Sequence, residues 1–292
     1  MQQQRHREIH GEKYGGHAYH VYRRSQHLTS RAGHPAGALE SGVFGLFLST
    51  EGTDDNANYN AKNLGVTGED GVWTPVSKLL WKDNTTPVTY YAYMPYCDSL
   101  SGTELRVELT AVQTEESMLA EDVLYASGEN LKAEDCTDGI SLLFKHKMSQ
   151  LKVVLTKATE LEENVEVTGV KISKCPSLGL MDLKTGELTC IDSKTADMQM
   201  YGTKVPADHA FTNTWEALLF PYTFSQGTFK VTVTVGSGMD TRSFLYTAPC
   251  DVVMEEGTSY TLNLTVGRDK VIPGGITASE WTEEDRGEIV TD

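Results

Sequence analysis

The 292-residue sequence predicts an all-β fold, divided into two β-sandwich domains in tandem. Three observations carry this. Strand-like runs rich in Val, Thr and Tyr recur between Gly, Pro and Asn turn signals, and almost no stretch keeps a helical period. Several runs alternate residue by residue: Leu105, Val107 and Leu109 stand against Glu104, Arg106 and Glu108, and Phe229, Val231, Val233 and Val235 against Lys230, Thr232 and Thr234. That is the period of a strand with one buried face. The runs number roughly thirteen, too many for a single sandwich of about seven strands.

In chain order, GVFGLFLST (42–50) is a short apolar run bounded by Gly and Thr, hence a buried strand. EGTDDNANYN (51–60) is an acidic loop. Its Asp54, Asp55 and Asn56 lack the spacing and distal Glu of a calcium loop, so they read as turn residues. VWTPVSKLLWK (72–82), a DNTTP turn, VTYYAYMPY (88–96) and ELRVELTAV (104–112) follow. TEESMLAED (114–122) has helical character for a turn or two, and DVLYASG (122–128) is a strand ended by Gly. ISLLFKHKMSQLKVVLTKA (140–158) is the longest apolar-rich segment, and its second half is a strand. His146 within it reads as a hydrogen-bonded structural histidine at a strand start. NVEVTGVKIS (164–173) precedes a hairpin, GLMDLKTGELT (179–189), whose Gly186 supplies a positive φ. WEALLFPYTF, TFKVTVTVG, RSFLYTAP and TSYTLNLTVG complete the series, the last placing Tyr260, Leu262, Leu264 and Val266 on one face.

The domain division rests on a weak internal repeat. YYAYMPY (90–96) and EALLFPYTF (216–224) each close an apolar strand on Pro-Tyr. Each is followed by an alternating strand and then by a short strand containing Tyr. This predicts sandwiches over 41–138 and 139–292, the second with a terminal tail, joined within AEDCTDG (133–139). Residues 1–40 have another texture: basic, poor in apolar residues, and holding six of the eight histidines. They read as a poorly ordered or processed leader. His6, His10, His17, His20, His27 and His34 have no Cys or carboxylate at a settled spacing, so neither a metal site nor any cofactor is expected. A secretory signal needs a continuous apolar stretch, and residues 1–40 hold none.

The formal charge is −16; residues 1–40 carry six Lys and Arg against three Asp and Glu, leaving 19 against 38 in the rest. An acidic body repels phosphate, so nucleic acid is not an expected partner. No run of 18 apolar residues offers a membrane helix. The five cysteines form no CxxC pair and cannot all pair internally, so they read as small buried hydrophobes. GxSxG, HExxH, P-loop and GxGxxG patterns are absent, and residues 41–292 hold only His146 and His209, so no enzyme is expected. Trp73, Trp81 and Tyr59, with Trp281, could stack on a sugar, in competition with core packing.

Four segments together resemble the fimbrillin-like proteins, the type V pilus subunits of Bacteroidales. LFKHKMSQLKVVL (143–155) resembles their signature strand, and YYAYMPY their Tyr-rich strand ending in Pro-Tyr. GVFGLFLST resembles their early strand. GTSYTLNLTVGRDKV (257–271) followed by ITASEWTEE (276–284) resembles their closing element. The resemblance spans about residues 28–292 in the right order. It implies two transthyretin-like sandwiches, export as a lipoprotein, and a place at the outer membrane and cell surface in a fimbria. It implies cleavage after an arginine, matched here by Arg31 in HLTSRAGH with Arg23 and Arg24 as alternatives, which frees a groove for a donor strand from the next subunit. Ile276, Trp281, Ile289 and Val290 are the candidate donor residues of the tail. The implied partners are other pilin subunits and a host or bacterial surface receptor, with membrane contact only through a lipid anchor on the precursor. The implied function is a structural or adhesive pilus subunit. The alternative is a non-polymerising surface lipoprotein that binds glycans.

Overall fold

In β1 (Gly42–Thr50) the simple alternation gives way to burial on both faces from Phe44 through Leu48, because this strand lies inside a sheet covered on either side. A computed structural model describes residues 41–281, except 55–56, 70–71, 137–139, 141, 162–164, 204–212 and 238–239. After β1 come β2 (Ala61–Glu69), β3 (Val72–Pro75), β4 (Val88–Met94), β5 (Glu104–Glu108), α1 (Glu115–Glu121), β6 (Leu124–Leu131) and β7 (Lys145–His146). Thr114 caps α1 by accepting from the Ser117 amide, with the Ser117 hydroxyl accepting from the Thr114 amide in return. Six of these strands form one sheet in the order β3-β2-β1-β4-β6-β7. One face carries Phe44, Leu46, Leu48, Ala92 and Met94 into a core with Leu79, Trp81 and Phe144. The other face carries Phe47, Tyr93 and Tyr125.

Gly45 is the point where two aromatic-bearing strands approach closest. The Tyr93 ring lies across it, and a Cβ there would fall 2.2 Å from Tyr93 Cε1. Tyr93 is fully buried and donates its hydroxyl to Asn63 Oδ1 at 2.7 Å. Desolvation pushes its phenol up to about 12. In the expected DNTTP turn, the Asp83 carboxylate accepts from the Thr86 hydroxyl and amide and from the Thr85 amide, which hold it down at about 2.

The second half contains β8 (Ser149–Lys157), β9 (Glu166–Pro176), β10 (Leu178–Asp182), β11 (Glu187–Cys190), β12 (Thr195–Gln199), β13 (Tyr201–Thr203), β14 (Asn213–Leu219), β15 (Tyr222–Phe224), β16 (Lys230–Ser237), β17 (Asp240–Thr247), β18 (Val252–Met254), β19 (Thr258–Val266) and β20 (Val271–Glu280). A four-stranded sheet, β12-β9-β16-β17, packs on a five-stranded sheet, β13-β14-β8-β19-β20. Val170, Ile172, Val231 and Val233 from one meet Leu151, Val153, Leu262 and Leu264 from the other, all at most 1% exposed. The alternating sides read from the sequence are the sides that are buried. Strand β8 pairs antiparallel with β14 and parallel with β19.

The all-β expectation holds, while the halves are more intertwined than a simple tandem. The β10–β11 hairpin turns through Gly186, at φ +73° as expected, but pairs with β5 of the first half. Tyr125 of β6 donates its hydroxyl to the Leu183 carbonyl at 3.0 Å, and its ring covers Gly186. The Gln113 side-chain amide makes two hydrogen bonds to the Leu218 backbone. One core cluster therefore runs from Phe47 and Leu105 through to Leu264. The first sheet also runs past the expected boundary at 138, because β7 pairs with β6 as far as His146.

All five cysteines are free thiols. Cys175 fits the expectation of a small buried hydrophobe, and burial pushes its thiol up; Cys190 rises to about 11 by the same cause. Cys250 departs from that expectation and is exposed. Thiol alkylation of the native protein at mildly alkaline pH, mapped by peptide mass spectrometry, is expected to label Cys250 first and Cys175 only on unfolding. Early labelling of Cys175 would refute this arrangement of the β9 region.

Candidate functional site

Chain segments from both halves meet around His146. Helix α1 stops at Asp122, whose amide still donates to the Met118 carbonyl at 3.1 Å. The chain then enters β6, and the register Leu124↔His146 brings β7 alongside. The Lys147 amide donates to the Val123 carbonyl at 2.8 Å. These backbone constraints set His146 Nδ1 2.8 Å from Asp122 Oδ2, with both side chains at most 2% exposed. Asp122 Oδ1 is buried and has no hydrogen-bond partner among the described residues.

Trp281 closes this junction from the far end of the chain. Its ring stacks on the His146 imidazole at 4.1 Å and 11°, and it is only 7% exposed. Its amide donates to the Gly257 carbonyl at 2.9 Å, and the Gly257 amide donates to Met148. Lys147 pairs with Glu256 beside it. The sequence reading of His146 as a structural, hydrogen-bonded histidine agrees with this. Its partner Asp122 was not evident, because a separation of 24 residues has no periodicity to reveal it.

The strand leading to Trp281 is unusual. β20 is the outer strand of its sheet, paired antiparallel with β19 from Glu280↔Thr258 to Val271↔Val266. Of its ten residues only Val271 and Ile276 are even half-buried. Ile276 lies opposite Leu262 and packs on the main core. β20 is thus held mainly through its backbone. Ile289 and Val290, like Arg23, Arg24 and Arg31 and the six leader histidines, lie outside the described residues.

The aromatic candidates are dispersed. Trp81 is 5% exposed inside the first core, so neither ring face is free for a sugar. Trp73 is half-buried, lies over Gly68 and packs on Phe44 at 5.2 Å. Tyr59 is half-buried in a loop stapled by Asn60, whose side chain bonds the Thr50 amide and the Asp54 carbonyl. A shallow cleft of about 500 Å³ lies beside that loop, between residues 57–64 and 77–80. Among the described residues, no group of three His, Cys, Asp or Glu could hold a metal, and no helix is long and apolar enough to cross a membrane.

Comparison with known proteins follows the same lines. A family model described as fimbrillin-like matches residues 31–281. No curated protein sequence matches the chain. The fold is similar to that of a candidate cell adhesion protein from Bacteroides uniformis ATCC 8492, with a TM-score of 0.67 and 18% identity over 91% of this chain and 99% of that one. A candidate cell adhesion protein from Bacteroides ovatus ATCC 8483 gives 0.63 at 18% identity over 84% and 89%. A fimbrial protein from Bacteroides vulgatus ATCC 8482 gives 0.56 at 13% identity over 82% and 93%.

Proposed function

Because this chain belongs to the fimbrillin-like family, we propose that it is a structural or adhesive subunit of a cell-surface pilus, exported and carried to the outer membrane on a lipid-anchored precursor. It acts by assembly rather than by catalysis. Cleavage after Arg31, or after Arg23 or Arg24, removes the leader ahead of β1 and opens a groove. The tail of a neighbouring subunit fills that groove as a donor strand, through main-chain hydrogen bonds and alternating side chains. Ile289 and Val290 supply apolar side chains to it. The receptor of an adhesive subunit is a host or bacterial surface.

The observation that carries this reading is the outer strand β20, exposed along most of its length and ending at a buried Trp281, so that the tail departs from a defined point on the molecule. A glycan-binding role has less support, since Trp81 is enclosed and Trp73 already packs against Phe44.

The test is a chain ending at Trp281. Purified protein nicked by an arginine-directed protease is expected to form oligomers on gels and in electron micrographs, and the chain lacking 282–292 is expected to form none. Equal assembly by both would refute the tail as donor. Truncation farther back, at Ile276, is a poorer test, because it also uncovers the β19 edge.

A further inference from the structure

A tail that joins one subunit to the next transmits force, and the structure shows where that force enters. A pull on residue 282 acts on the open end of the β19–β20 hairpin, where Glu280 faces Thr258. A strand pulled from its end, across its own direction, loses its hydrogen bonds one pair at a time. β20 is poorly equipped to resist such peeling, since only Val271 and Ile276 tuck side chains inward. Its Pro273 cannot donate to the ladder, and the pairing is irregular at Asn263/Leu264.

Trp281 sits at the position that would be loaded first. It is buried, stacked on His146, and tied through its amide to Gly257. His146 is in turn held by Asp122 and lies in β7, a strand of the first sheet. The strand of the second half next to Trp281, β19, is thus not the only element it leans on.

We propose that Trp281 is a load-bearing anchor that passes a pull on the tail through His146 and Asp122 into the first half of the molecule, keeping β20 zipped in its own chain. This rests on the pilus reading only for the origin of the pull. It divides the closing segment in two: residues through Trp281 stay in their own subunit, and only those beyond it are donated. Ile276 and Trp281 then serve the fold, leaving Ile289 and Val290 to the partner.

Hydrogen–deuterium exchange on the full-length monomer tests the anchor without any assembly. In the unaltered chain, amides 276–280 are expected to be protected at least as well as those at the Gly274–Gly275 bend. In Trp281→Ala they are expected to exchange about tenfold faster or more, while β8 amides keep their protection. Trp281→Phe, which keeps a stacking ring, is expected to restore most of the difference. Fast exchange at 276–280 in the unaltered chain would overturn the proposal, and it needs no variant to fold. So would a Trp281→Ala chain whose β20 amides are unchanged. Should the nicked full-length protein form no oligomers, or the chain lacking 282–292 assemble equally well, while 276–280 stay protected in this way, the donor-tail reading falls and the anchor stands.

Discussion

Replacing His146 with alanine is expected to lower the free energy of unfolding by about 3–5 kcal/mol. The cost comes chiefly from what is left behind. The Asp122 side chain is 0% exposed, and its Oδ2 is held 2.8 Å from His146 Nδ1. Removing the imidazole takes away the partner of that oxygen and leaves a carboxyl group enclosed without compensation. It also removes the ring beneath Trp281. Urea unfolding at neutral pH measures the change. The double variant His146→Leu with Asp122→Leu is expected to recover a large part of the loss, since neither polar group is then stranded. A loss below about 1 kcal/mol in the single variant would mean that water reaches the pair.

Met181→Asp is expected to cost more than about 4 kcal/mol and to break the cooperativity of unfolding. Met181 is fully buried on β10, opposite Leu105 of β5, where the second half reaches across to the first. A carboxylate there has no partner in the shared core. The unaltered protein is expected to melt in a single calorimetric transition, because one core cluster runs through both halves. With β10 displaced, two transitions are expected. Leu180→Asp is the matched control: this neighbour is half-buried and lies opposite Arg106, so a small change is expected. Two transitions in the unaltered protein, or one in Met181→Asp, would count against the interlock.

What could be read from the sequence was whatever a local pattern encodes. The alternation of β5, β16 and β19, the turn at Asp83, the short helical stretch of α1 and the positive φ of Gly186 all depend on neighbours within a few residues. β20 is written in Gly, Thr and Pro and is held by its partner's backbone more than by its own side chains, so no pattern of its own marks it as a strand. The two Pro-Tyr strands share one pairing feature. β1 pairs antiparallel with β4 as β8 does with β14, each Pro-Tyr strand lying beside the first strand of its half. The likeness ends on the other side, where β1 meets β2 antiparallel and β8 meets β19 in parallel.

The junction was least legible. His146 and Trp281 could each be singled out by type, and the family resemblance ran through both segments. Their contact depends on long-range pairing that brings residues 122, 146, 257 and 281 together, and no spacing in the chain announces it. The β5–β10 pairing was hidden for the same reason: a hairpin's sequence specifies its turn, not the strand it will join.

That pairing also sets a timetable for synthesis. A chain emerging amino end first, from a ribosome or through a pore, has β5 available early but must wait for Asp182 before that strand gains its neighbour. β8 waits longer, since its parallel partner β19 ends at Val266. The first half therefore lacks its β10 neighbour until more than half of the chain has emerged, and the second half cannot complete its central sheet until nearly all of it has.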